Sequence, residues 1–236
     1  MKKNILISIG VLSVALIFFV NAKKTSTQEA PRKYQVGDYA KDFNLKNIDG
    51  TMVSMAGMKE AKGFIIIFTC NTCPFSKMYE ERIIELQSEY SPKGFPVIAI
   101  NPNDENTSPD DSFESMKIRA KAQGFNFPYL QDETQEVVSS YGAARTPQVF
   151  VLLKEKGKYK VVYEGAIDNN HRDASMASNK YVKDAVDNLL TGREVHTKST
   201  KAIGCSIKSL NGLCIIIQGR AIFRPQYLLS RLHYLL

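Results

Sequence analysis

Cys70 and Cys73, in the stretch "FIIIFTCNTCPFSKMYE", are the residues whose type and spacing point most directly to chemistry. Two thiols at this spacing can be half of a metal site, a redox couple that closes a disulfide, or two ordinary buried cysteines. Their surroundings weigh these readings. Phe64 to Thr69 runs apolar and rich in isoleucine, as a strand covered on both faces does. Helical spacing follows in Phe75, Met78, Tyr79, Arg82, Ile83, Leu86 and Tyr90. Cys70 therefore ends a strand and Cys73 falls in the first turn of a helix. Asn71 or Thr72 can cap that helix, and Pro74 is tolerated because first-turn N–H groups have no intrahelical partner. A helix N-terminus favours an anion, so Cys70 is expected as the acidic, attacking thiol and Cys73 as the thiol that resolves the mixed disulfide. A structural metal site needs about four ligands. The remaining candidates, His171, His196, Cys205, Cys214 and His233, show no ligand spacing. No metal is expected, although a non-enzymatic copper carrier using the same two thiols is a competing class.

The elements that must position the pair alternate. Asp42–Leu45 and Thr51–Ser54 flank Asp49-Gly50, a hairpin-type turn. Pro96–Ile100 and Phe127–Leu130 read as strands. Ser108-Pro109-Asp110-Asp111 reads as a helix start, and Thr134–Tyr141 as a helix closed by Gly142. Gln148–Leu153 and Lys160–Tyr163 form a hairpin around Lys156-Gly157-Lys158, and Asn179–Leu190 is a last helix. This order predicts an α/β sandwich of three layers with a mixed central sheet and an N-terminal hairpin. The elements needed for the core are expected to be complete by Leu190.

Charge excludes one function class. The chain of 236 residues carries a formal charge of +7, but residues 23–194 hold 23 basic and 24 acidic groups. The basic excess sits at the two ends, so it gives no footprint for nucleic acid. Lys2 and Lys3, the apolar run Ile5–Val20 and the small residue Ala22 read as a signal peptide over 1–22, or as an anchor if it stays uncleaved. The body is then expected outside the cytoplasm, periplasmic or otherwise extracytoplasmic, and membrane-bound only through that segment. Residues 23–33 read as a linker. Four cysteines are too few for a disulfide-built scaffold, which leaves them free for chemistry.

"FIIIFTCNTCPFS" together with "ARTPQVFVL" resembles the thioredoxin superfamily. "YQVGDYAKDFNLKNIDGTMVSM" is similar, more narrowly, to its redoxin branch, the proteins related to alkyl hydroperoxide reductase and thiol-specific antioxidant. The likeness covers 34–208. It implies a thioredoxin-like fold and an antioxidant or thiol–disulfide oxidoreductase activity without an organic cofactor. It also implies protein thiols and disulfides as partners, an upstream redox donor, and a monomer. Thr146-Pro147 matches the cis-proline position that lies against the active-site disulfide, and Thr146 would offer backbone hydrogen bonds to a peptide. Only before proline is a cis bond affordable.

The match has departures. Phe64 stands where thioredoxins carry a buried acid, and Glu80, Glu164 and Asp168 are candidates to replace it. Thr69 stands where they carry a tryptophan, and Asn71-Thr72 replaces Gly-Pro. A peroxiredoxin-like peroxidase is the rival activity. It needs a threonine three residues before the attacking cysteine and a proline four earlier. Cys70 has Ile67 and Gly63 there, and Cys73 has Cys70 and Ile66.

Accessory candidates complete the reading. Arg145 could pair with a thiolate, and His171 lies in the loop after the hairpin. Cys205, in "GCSIK", is either a third redox thiol or a free structural cysteine. Residues 209–236 form a basic tail of unknown role, expected to be dispensable.

Overall fold

The computed structural model describes residues 33–210 and, beyond them, the strand pair Ile216–Ile217 and Arg220–Ala221. The expected signal segment, the linker up to Arg32, and the tail from Asn211 apart from that pair's backbone lie outside the described residues, as does Cys214.

Along the chain come β1 (Tyr39–Ala40), β2 (Leu45–Asn47), β3 (Met52–Val53) and β4 (Gly63–Phe68). Next are α1 (Pro74–Tyr90), β5 (Val97–Asn101), α2 (Phe113–Gln123), β6 (Tyr129–Gln131) and α3 (Glu136–Tyr141). Last come β7 (Arg145–Thr146), β8 (Gln148–Glu155), β9 (Lys158–Gly165), α4 (Tyr181–Leu190) and β10 (Cys205–Ser206). One sheet of eight strands runs in the order β1-β9-β8-β4-β5-β6-β2-β3, and β7 pairs separately with β10.

β4 occupies the middle of the sheet, parallel to β5 and antiparallel to β8. The sheet is therefore mixed, and the isoleucine-rich run is covered on both faces. Successive side chains alternate between them. Ile65 and Ile67 join a layer with Ile83 and Leu86 of α1, Met116 of α2 and Val182 of α4. Phe64, Ile66 and Phe68 join Val138 and Tyr141 of α3, with Phe43 and Met55. Helices thus cover both faces, giving the three-layer, thioredoxin-like sandwich. Gly63 is glycine for a steric reason: a Cβ there would collide with the Leu152 carbonyl and the Phe95 ring.

Two expectations are corrected. The helix start at Ser108 becomes a single 3-10 turn, Pro109–Asp111, before α2 begins at Phe113. The core is also not complete at Leu190. Val195 is buried in the core, and Ser199 bridges to Glu164. The Thr200 hydroxyl lies 2.6 Å from the Tyr163 hydroxyl, and the Thr200 N–H donates to the Glu164 carbonyl at 3.0 Å. Residues 195–208 form a strap that returns the chain to the C-terminal end of β4, where the cysteines sit.

Candidate active site

Strand β4 ends at Phe68; the N–H of Thr69 after it still donates to the Ile100 carbonyl at 2.9 Å, and the chain then leaves the sheet at Cys70. Cys73 is itself the N-cap of α1, with Pro74 at the first helical position. This corrects the expected cap. Asn71 and Thr72 turn away from the helix because a buried carboxylate competes for them. Asp111 Oδ1 accepts the N–H groups of Asn71 (2.7 Å) and Thr72 (3.1 Å), and Oδ2 accepts the Thr72 hydroxyl (2.7 Å). Asn103 Nδ2 and the Ser108 hydroxyl also donate to Oδ2, each at 2.7 Å. Asp111 has no solvent exposure, yet five donors satisfy it. Asn71 is held further, its Nδ2 donating to the Asp110 carbonyl at 2.9 Å and its Oδ1 accepting from the buried Tyr129 hydroxyl at 3.0 Å.

The Thr146–Pro147 peptide bond is cis. Thr146 reaches both sulfurs. Its hydroxyl lies 3.2 Å from Cys70 Sγ, and its carbonyl accepts from Cys73 Sγ at 3.0 Å. Strap and site meet at the same residue: β10 runs antiparallel to β7 with Cys205 opposite Thr146. The Cys205 N–H points at Cys73 Sγ at 3.4 Å. Cys70, Cys73 and Cys205 are all free thiols here; the first two are buried and the third is half-buried.

The two thiols share one ionisation, and the hydrogen bonds around them favour its charge on Cys73. The Cys73 thiol is pushed down, first by a hydrogen bond from Cys70, then by the Cys205 side chain and by the N–H groups of Ser76 and Cys205, against the cost of burial. Cys70 is pushed up by donating to Cys73, by burial and by the charge of Asp111. The Thr146 carbonyl, which accepts from Cys73 Sγ, opposes that ionisation, and a cap position at the positive end of a helix favours it. Cys205 is raised, chiefly by burial and then by Cys73.

The other candidates fall into place. Arg145 points to the strap, not to a thiolate: its Nη1 donates to the Gly204 carbonyl at 2.9 Å. Glu80 forms a two-pronged ion pair with Arg119 (2.6 and 2.7 Å), and Asp168 pairs with Arg82 at 2.7 Å and takes the Tyr79 hydroxyl at 3.0 Å. Glu164 takes part in the strap bridge. None of the three replaces the missing acid; the carboxylate beside the pair is Asp111. Its Ser-Pro-Asp-Asp setting is fully explained as a helix start, so no local signal marks it. His171 packs on Phe75, ring centroids 5.1 Å apart. It also helps line a cavity of about 240 Å³ with Tyr79, Pro147, Ile167, Tyr181 and Ile203. Among the described residues no three His, Cys, Asp or Glu side chains gather as a metal-ligating set, and no helix is long and apolar enough to cross a membrane.

The AhpC/TSA family matches residues 36–164. A crystal structure of an uncharacterized conserved protein from Geobacillus kaustophilus superposes with a TM-score of 0.69 at 38% identity, covering 75% of this chain and 94% of that one. A hypothetical protein from Sinorhizobium meliloti gives 0.68 at 32% identity, over 75% and 96%. The thiol-disulfide oxidoreductase ResA of Halalkalibacterium halodurans is 25% identical over 159 residues, 67% of this chain and 84% of its own length.

Proposed function

The chain belongs to the AhpC/TSA family and is a thiol oxidoreductase, and we propose that it exchanges disulfides with protein substrates outside the cytoplasm through Cys70 and Cys73. The observation that carries the reading is Thr146, which touches both sulfurs at once (3.2 and 3.0 Å), so the residue before the cis-proline and the dithiol form one site. The reading of export rests on Lys2, Lys3, the apolar run and Ala22. Direct exchange needs no organic cofactor, only an upstream dithiol donor or disulfide acceptor.

In the reducing direction, the Cys73 thiolate attacks a substrate disulfide. A Cys73–substrate bond forms and the substrate's S–S bond breaks, its released thiolate taking up a proton. Cys70 then gives up its proton and attacks Cys73 Sγ. The Cys70–Cys73 bond closes and the second substrate sulfur leaves as a thiol, so two electrons have passed to the substrate. The same steps run backwards oxidise a dithiol. Loss of the attacking thiol should be absolute: Cys73→Ser should reduce turnover of a protein disulfide such as insulin's to the uncatalysed rate, and Cys70→Ser should lower it. A protein that consumes hydrogen peroxide well while leaving insulin untouched would overturn the reading in favour of a peroxidase.

A further inference from the structure

We propose that Cys205 is a third exchanging thiol, held by the strap so that it forms a disulfide with Cys73 in place of Cys70. This rests on the Cys70–Cys73 reading above. Thr146 is bonded to both sulfurs of the pair, and the register of β10 on β7 sets Cys205 directly opposite it. The Cys205 N–H already touches Cys73 Sγ at 3.4 Å.

The approach is built rather than incidental. Gly204 lies so close to Thr146 that a Cβ there would collide with the Thr146 carbonyl. Fasteners flank Cys205 on both sides. Arg145 Nη1 donates to the Gly204 carbonyl at 2.9 Å, and the Ile207 N–H donates to the Ala144 carbonyl at 3.3 Å. The Lys208 N–H donates to Asn103 Oδ1 at 2.9 Å. The Lys208 carbonyl accepts the Asp104 N–H at 3.0 Å and Gln135 Nε2 at 2.8 Å. Asn103 is also a donor to Asp111, which grips the loop between the other two cysteines. One polar network thus locates all three thiols.

The step balances within the chain. Cys205 loses its proton and attacks Cys73 Sγ of the Cys70–Cys73 disulfide. The Cys73–Cys205 bond forms, the Cys70–Cys73 bond breaks, and Cys70 takes up the proton as a free thiol. No electron enters or leaves.

The test uses the full chain carrying Cys214→Ser, so that this fourth thiol cannot interfere. Cys70→Ser in that background leaves Cys73 and Cys205. The protein is oxidised with glutathione disulfide, blocked with N-ethylmaleimide and digested with trypsin, and the peptides are mapped without reduction. The dominant product should be monomer in which the peptide 63–77 is joined to 202–208. Glutathione adducts on Cys73 without that link, or intermolecular dimers alone, would overturn the proposal. Cys73→Ser is the geometric control, and an equally efficient Cys70–Cys205 link would also overturn it. Cys205→Ser separates this inference from its premise. If that variant closes Cys70–Cys73 while Cys70→Ser gives no 73–205 link, only the third thiol falls. If it cannot close Cys70–Cys73 although the 73–205 link forms, the dithiol reading falls and Cys205 stands as the partner of Cys73.

Discussion

Cys70 and Cys73 hang from β4, which is buried, and α1, which packs one face on the core, whereas Cys205 hangs from a strap held at its end by side-chain and backbone hydrogen bonds. The first region is fixed by apolar burial: all six residues of β4 are inaccessible, and α1 sends Ile83 and Leu86 into the same layer. Around Cys205 the second is held by a two-residue ladder, by polar fasteners and by Ile207 packed at the margin of a core layer. A site assembled from both combines a rigid dithiol with a thiol on a lighter mount. Losing a fastener should loosen one side of the site without dismantling the other.

The two mounts should differ most in thiol reactivity. Cys73 is held below the ordinary thiol range of about 8.5, while Cys70 and Cys205 are held above it. At a pH of about 6 the latter two stay protonated while Cys73 keeps the most thiolate, so iodoacetamide should label Cys73 many-fold faster. Faster labelling of Cys70, read by peptide mapping, would restore the order expected from the sequence.

Next in size is Asp111→Ala. It strands the N–H groups of Asn71 and Thr72 and the amide of Asn103, and a buried donor left unpaired costs roughly 1–3 kcal/mol. Urea unfolding should show a loss of roughly 3 kcal/mol. Asp111→Asn should cost less and shift the Cys70 titration downward, because one of the causes that hold this thiol protonated is the Asp111 charge.

Gly204→Val should cost about 1–3 kcal/mol if the strap stays docked. If it lifts instead, cleavage at Lys201 and Lys208 by dilute trypsin should accelerate while β4 and α1 keep their protection. The smallest effect is that of Arg145→Ala, which removes one hydrogen bond from an exposed side chain and should cost under about 1 kcal/mol. A cost of several kcal/mol there would make the strap part of the core after all.

What the sequence discloses follows the same division. β4 is legible because continuous burial writes itself as Phe-Ile-Ile-Ile-Phe, and α1 because its apolar period is long. Thr146-Pro147 is legible because a proline opening a buried strand is awkward in any other role. Asp111 escapes because its partners lie 39 and 40 residues back in the chain, a relation that no local pattern records. The cap escapes for the same reason, since Asn71 and Thr72 are good capping types until a distant carboxylate claims them. β7 and β10 are two residues each, too short for a period, and only the presence of Cys205 marks that segment in the sequence.

The two-residue pairing of β7 with β10 has a dynamic consequence. Between the end of α4 and Cys205 lie fourteen residues, so re-forming a lifted strap closes a short loop on an intact domain, at little entropic cost. The amides of Cys205 and Ser206 therefore belong to the least protected class in native-state hydrogen exchange, and those of β4 to the most protected, opened only by global unfolding. The third thiol can come and go on the timescale of local fluctuations while the dithiol keeps the lifetime of the fold.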